Sequence, residues 1–201
     1  MKLAPLLIGG ILGLAAGAAS AFVMAGMVGS GIRLSGDVDV DNWQSDWTIG
    51  STAANPWTRA RIARHGLLAL TKEEAVYFTR AVDDDGKPLK EACTYRVSGG
   101  AMPALWWSVT LYDGDSRLPP NKDKALSYDL TKAAAEGDAD SWRFTVSPTR
   151  PAEGGWVSSR AADNFDLTLR LYKPSAALLA DPEATLPAPK IERVSCGGQG
   201  S

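Results

Sequence analysis

Residues 3–32 carry no charge, and from Arg33 onward the chain reads as a polar, water-facing domain. A hydrocarbon core of roughly 30 Å needs about 20 apolar helical residues, and residues 6–28 supply that length with some left for tilt. Residues 1–32 are therefore expected to form a transmembrane anchor or an uncleaved signal. The polar remainder of the chain must then fold as a body held on one side of a membrane.

A competing reading comes from Ala19-Ser20-Ala21, which satisfies the small-x-small rule of a signal-peptidase site and would release the domain after Ala21. Phe22, Val23, Met27 and Val28 keep the segment apolar well past a signal core of about 7 to 15 residues, which argues for retention. Lys2 in a very short tail places the amino terminus inside and the domain outside. Gly9, Gly13, Gly17 and Ala21 recur every fourth residue and give the helix a smooth packing face, suited to self-association or to another membrane helix.

The net charge is −2, from 21 basic and 23 acidic residues without a dense run of either sign. Nucleic acid is excluded as a partner, because phosphate neutralisation needs clustered Lys and Arg. The two cysteines, Cys93 and Cys196, have neither a CxxC nor a metal-ligand spacing. In an oxidising compartment a bridge between them would close a long loop, worth about 3 to 5 kcal/mol, and pin the carboxyl end before a flexible tail at 197–201.

Residues 33–54 read as an extended lead-in that docks Trp43 and Trp47, and 55–196 as the folded domain. Asn55-Pro56 predicts a helix start, a cap followed by proline at the first helical position. Trp57, Ala60, Ala63, Leu67 and Leu70 then form its expected apolar face. Beyond the helix the period changes to two. Segments 75–82 and 93–97 look like the arms of a hairpin joined through the turn-rich Asp83-Asp84-Asp85-Gly86-Lys87-Pro88. Segments 105–112, 142–146, 165–172 and 191–195 read as further strands, with a helical turn at 175–180. Short alternating strands between Gly and Pro turns predict a mainly β fold, an antiparallel β-sandwich with one flanking helix.

Catalytic motifs are absent. The single histidine, His65, lies in the Arg-rich helix, so no multi-histidine metal site is possible, and no nucleophile elbow, phosphate loop or dinucleotide fingerprint occurs. No metal and no cofactor are expected. The informative feature is a face. On 105–112 the aliphatic side is Leu105, Trp107, Val109 and Leu111, and the other side is Trp106, Ser108, Thr110 and Tyr112. On 165–172 Leu167, Leu169 and Leu171 oppose Asp166, Thr168, Arg170 and Tyr172. A purely solvated face would favour Lys and Glu, so this mixture fits a half-buried ligand surface with polar handles, Arg170 gripping an anion or stacking on a ring. It fits equally a packing site for Trp43, Trp47 or Trp57.

Taken as a set, Pro103-Ala104-Leu105-Trp106-Trp107-Ser108-Val109-Thr110-Leu111-Tyr112-Asp113, Asn121, Ser127-Tyr128, Trp156 and Leu169-Arg170-Leu171-Tyr172-Lys173-Pro174 resemble the bacterial domain of unknown function (DUF) family 1214. Trp47-Thr48-Ile49-Gly50-Ser51, Arg59-Ala60 and Glu74-Ala75-Val76-Tyr77-Phe78 fit its short, membrane-tethered members. Where relatives tend to read Trp-Leu-Pro, this chain has Trp156-Val157-Ser158. The resemblance implies a jelly-roll-like sandwich, and adds Asn121, Tyr128 and Trp156 to the shared framework that includes Arg170 and Tyr172. It implies a single-pass protein of the bacterial inner membrane with its domain in the periplasm. In longer relatives a second unknown domain, family 1254, accompanies this one, so a separately encoded protein of that kind is an expected partner, alongside self-association. The family supplies no reaction. The expected function is a noncatalytic envelope binding or interaction domain using this Trp, Tyr and Arg face; the alternative is a periplasmic hydrolase or carbohydrate-active enzyme using carboxylates in the sandwich mouth.

Overall fold

The computed structural model describes residues 3–25, 37–52, 54–65, 70–137 and 139–197. Lys2, Met27, Val28, Leu67, the side chain of His65 and the tail from Gly198 lie outside what is described. Helix α1 (Leu3–Met24) is apolar along its length, and by length and composition residues 7–24 can cross a membrane. Its side chains at Leu7, Ile11, Leu12 and Leu14 are all more than half exposed. Such a helix exposes a continuous apolar surface, as a membrane anchor and a signal sequence both do.

The domain is built from two sheets. The larger holds β1 (Asp37–Val40), β2 (Trp43–Asp46), β3 (Ala75–Arg80), β9 (Phe165–Pro174), β5 (Ala104–Asp113) and β6 (Ser127–Asp129), in that spatial order. The smaller runs β10 (Lys190–Cys196), β4 (Cys93–Gly100), β7 (Ser141–Ser147) and β8 (Gly155–Ser158). Short helices α2 (Pro56–His65), α3 (Leu130–Ala135), α4 (Ala176–Ala180) and α5 (Pro182–Thr185) complete the fold.

Alternation decides which side of each strand is buried. Antiparallel pairing sets Trp107 opposite Leu171, Val109 opposite Leu169 and Leu111 opposite Leu167, and all six are at most 1% exposed. They meet the second sheet through aromatic contacts. Trp107 lies 4.4 Å from Trp142 between ring centroids, Tyr128 stacks on Phe144 at 4.7 Å, and Tyr95 meets Phe165 edge-on at 5.8 Å. Each fully buried Leu contributes roughly 1.5 to 3 kcal/mol, and each such aromatic pair somewhat more than its area alone gives. The arrangement is a sandwich, mainly β as the alternation predicts. Cys93 and Cys196 are directly paired in register and disulfide-bonded, fastening β10 to β4 across a sequence separation of 103. A loop of that size is worth about 4 to 5 kcal/mol on chain entropy.

Four local expectations change. The lead-in is extended but not free: β1 and β2 form a hairpin whose Gln44 pairs with Thr79, so the hairpin extends the larger sheet. Trp43 is fully buried, donating its indole N–H to the Pro189 carbonyl at 2.8 Å, and Trp47 packs against Phe78. Segments β3 and β4 are not partners. The Asp83-to-Lys87 turn forms, closed by the Asp83 N–H on the Lys87 carbonyl, but its arms then part into different sheets. The sandwich is also not wholly antiparallel, because β8 pairs parallel to β7. Finally, α2 turns Thr58 and Arg61 inward while Ala60 and Ala63 are exposed. The helix covers a polar surface, so its buried side is polar and an apolar-face rule selects the wrong stripe.

Candidate functional site

The outer face of the larger sheet carries the residues left over from the core. Register aligns Tyr77, Arg170 and Ser108 in one row across β3, β9 and β5, and Thr79, Thr168 and Thr110 in the next. A third row sets Asp166 beside Tyr112, and at the far end Trp106 sits beside Tyr172, their rings 5.4 Å apart.

The chain that leaves β2, beside β3 in the sheet, runs through Asp46 and Ile49 into α2, and these border with the sheet face a cavity of about 170 Å³. Its floor is Tyr77, Thr79, Thr168, Asp166 and Tyr112; its roof is Asp46, Ile49, Thr58, Arg61 and Ile62. The roof is held by chemistry local to the sequence. Asn55 caps α2 by accepting from the N–H groups of Trp57 and Thr58, both at 2.9 Å. Asp46 accepts from the Thr48 hydroxyl at 2.6 Å and the Thr58 hydroxyl at 3.3 Å, and Arg61 lies 3.6 Å from it. Gly50 adopts φ +76°, and a Cβ there would collide with the Leu70 carbonyl oxygen at 1.8 Å, so only glycine lets the Ile49 turn sit this low.

Arg170 crosses the threonine row. One of its guanidinium nitrogens donates to the Thr110 hydroxyl at 3.1 Å and another to the Tyr112 hydroxyl, while its plane lies 5.3 Å from the Tyr112 ring and 6.0 Å from that of Tyr77. Thr79 and Thr168 share a hydrogen bond at 3.1 Å, and Thr168 donates to Asp166 at 3.2 Å. Burial pushes the Asp166 carboxyl up to about 7; the Thr168 hydroxyl opposes this, the nearby Asp113 reinforces it and Arg170 opposes it weakly. Burial also raises the Tyr77 phenol.

Trp106, Tyr112 and Arg170 are half-buried, so hairpin and helix roof part of the face and leave the rest open. Ser108, Thr110, Tyr112, Thr168, Arg170, Trp106 and Tyr172 share this face. The other three framework positions are elsewhere. Tyr128 is in the core between the sheets, its hydroxyl donating to Glu136 at 2.8 Å. Asn121 donates its side-chain amide to the Arg160 carbonyl at 2.8 Å in a loop. Trp156 lies on β8 of the other sheet, bonded to the Ser147 carbonyl at 3.1 Å. These are loop and core contacts. Sequence reasoning did not select Asp46, Thr58, Arg61, Tyr77 or Thr79; the polar pair Thr58 and Arg61, one turn apart, is the readable sign that α2 covers something polar. No cluster of three metal-ligating side chains occurs among the described residues.

The family model described as "Protein of unknown function (DUF1214)" matches residues 74–176, just over half of the chain. The chain belongs to this family. The DUF1214 match begins at β3 and ends at α4, so it contains every floor strand of the cavity, whereas the β1–β2 hairpin and α2 precede it. Among solved structures the chain is similar to the VPA0106 protein of Vibrio parahaemolyticus, with a TM-score of 0.54 and 20% identity over 71% of this chain and 36% of that one. An uncharacterised protein of Burkholderia cenocepacia aligns at a TM-score of 0.36 and 21% identity, over 64% of this chain and 31% of its own. The first likeness shows the fold alone, and the chain spans about a third of the length of either protein. No curated protein matches the chain.

Proposed function

We propose that this DUF1214 domain is a noncatalytic binding module, tethered by α1 to the periplasmic face of the inner membrane, that takes a small polar ligand in the groove between the outer sheet face and α2. The observation that carries the reading is the groove itself: about 170 Å³, floored by threonines and tyrosines and roofed by the Asp46–Arg61 pair. It has the form of a ligand site, concave with a few convergent polar groups. The disulfide supports an oxidising compartment. The half-buried outer rows beyond the roof, at Trp106 and Tyr172, are where a separately encoded family 1254-like partner or a second copy would dock.

The test is copurification. Full-length protein extracted from its membranes and analysed by native mass spectrometry should carry a small molecule, and Thr79→Phe, which fills the floor, should empty it. A ligand retained at equal stoichiometry by the filled variant would overturn the assignment. A second reading rests on Asp166. A carboxyl with a pKa of about 7 is suited to general acid catalysis, which fits an envelope hydrolase with Asp166 as its acid. In that case the copurified compound would be consumed on incubation, and Asp166→Asn would stop the turnover without releasing it.

A further inference from the structure

Asp166 stands apart from the other groups of the groove. It lines the cavity, and no salt bridge to it occurs among the described residues; its side-chain hydrogen bond comes from Thr168. The charges facing it do not cancel. On β5 Tyr112 stands directly beside it, while Asp113, which acts on it only through its charge, accepts from the N–H groups of Asp115 and Arg117 and does not line the cavity; on β9 Arg170 is committed to Thr110 and Tyr112. On the roof, Asp46 and Arg61 pair with each other, and Tyr77 on β3 adds a ring rather than a charge. The cavity is therefore lined by two carboxylates, Asp46 and Asp166, against one guanidinium, Arg61, which is paired with Asp46, and the lining on the side of Asp166 includes tyrosine rings and threonine oxygens. Excess negative charge beside aromatic faces and hydroxyl acceptors complements an ammonium group.

We propose that the Asp166 end of the groove is a subsite for a primary ammonium group, carried by a small organic amine or by the headgroup of an amine-bearing lipid. The inference deepens the binding reading and rests on it. One N–H of the ammonium faces the Asp166 carboxylate and the others the hydroxyls of Thr79 and Thr168, with Tyr112 alongside. A lipid source has a structural basis. Arg61, which roofs the groove, also donates to the carbonyl of Met24 at 3.1 Å, the last residue of α1, so the roof is tied to the domain-side end of the helix that is long and apolar enough to cross a membrane.

The experiment uses the full chain in phosphatidylglycerol nanodiscs at pH 8, with ethanolamine as probe and ethylene glycol as its uncharged counterpart, followed by ligand-observed NMR. Saturable ethanolamine binding is expected, at least tenfold weaker in Asp166→Asn. In the unmutated chain it should weaken about tenfold between pH 8 and pH 6 as Asp166 takes up its proton. The pH arm stands even if the variant does not fold. Equal ethanolamine affinity in Asp166→Asn, or no change with pH, overturns the ammonium subsite. Ethylene glycol binding as well as ethanolamine also overturns it while leaving the groove reading intact; failure of both probes counts against both. Phosphatidylethanolamine nanodiscs separate the sources: a tenfold rise in the ethanolamine needed supports a lipid headgroup at the subsite, and no rise supports a free amine there.

Discussion

Strand β9 presents two faces that obey opposite rules. Leu167, Leu169 and Leu171 point into the sandwich and are fully buried, each against a partner of its own kind on β5. Asp166, Thr168, Arg170 and Tyr172 point the other way, and three of them, Asp166, Thr168 and Arg170, are held by specific polar contacts that a sheet does not need in order to form. The inner face is determined by volume, and any well-packed apolar set would serve it. The outer face keeps a half-buried acid that costs stability, which marks it as the face that folding alone does not explain.

The largest test of this contrast is on the inner side. Trp107 is 1% exposed and touches both Trp142 and Tyr128, so Trp107→Ala should remove about 3 to 5 kcal/mol from unfolding, read by chemical denaturation. A cost below about 1 kcal/mol would show that the two sheets do not depend on this contact.

The next effect has the opposite sign and comes from the outer side. The Asp166 carboxyl holds its proton to about pH 7 in the folded chain against 3.8 for the free side chain. The unfolded chain loses its proton first as pH rises. The contribution of this group is thus fully present below about pH 4 and declines to a cost of about 4 kcal/mol above pH 7. Asp166→Asn keeps the shape and an acceptor for Thr168. It should stabilise the protein by roughly 2 to 4 kcal/mol at pH 8 and by nothing at pH 4, in matched denaturation curves. An equal shift at both pH values would mean that packing, not ionisation, sets the effect.

A smaller change separates structure from recognition on the same face. Arg170→Met keeps the stem and loses the bonds to Thr110 and Tyr112, at a stability cost of about 1 to 2 kcal/mol. Because the guanidinium orients Tyr112 at the groove, ligand retention should fall at least tenfold in native mass spectra. Full retention would confine Arg170 to a structural part.

Much of the inner face was legible in the sequence because alternation is a local property. The central strands could be read from Leu, Val and Trp at every second position, and the cysteine pair from its compartment logic. Pairing was less legible. The β3 and β4 segments flank a good turn, yet which sheet each joins depends on β9 and β10, almost a hundred residues later. The parallel β8 carries too few residues to announce itself. The outer face was half legible: β5 and β9 gave their residues, but the roof came from α2 and the hairpin, where burial is polar. A search for apolar stripes along α2 finds Ala60 and Ala63, which are exposed, and passes over Arg61, which is buried.

The smallest effect tests where the inner rule ends. Leu105 shares the parity of Trp107, Val109 and Leu111, so alternation alone assigns it to the core. It is 75% exposed, at the end of the β5–β9 pairing where the flanking pairs are Ala104 with Pro174 and Trp106 with Tyr172, so the β9 residue beside it is Lys173 rather than an apolar one. Leu105→Ala should therefore change unfolding free energy by less than about 0.5 kcal/mol, against the 2 to 5 kcal/mol that a core leucine costs. A core-sized loss would place a cover over Leu105 that the domain itself does not supply. Measured in nanodiscs and again in detergent, the same substitution would show whether that cover is the membrane surface or protein, since only a lipid contact should vanish with the bilayer.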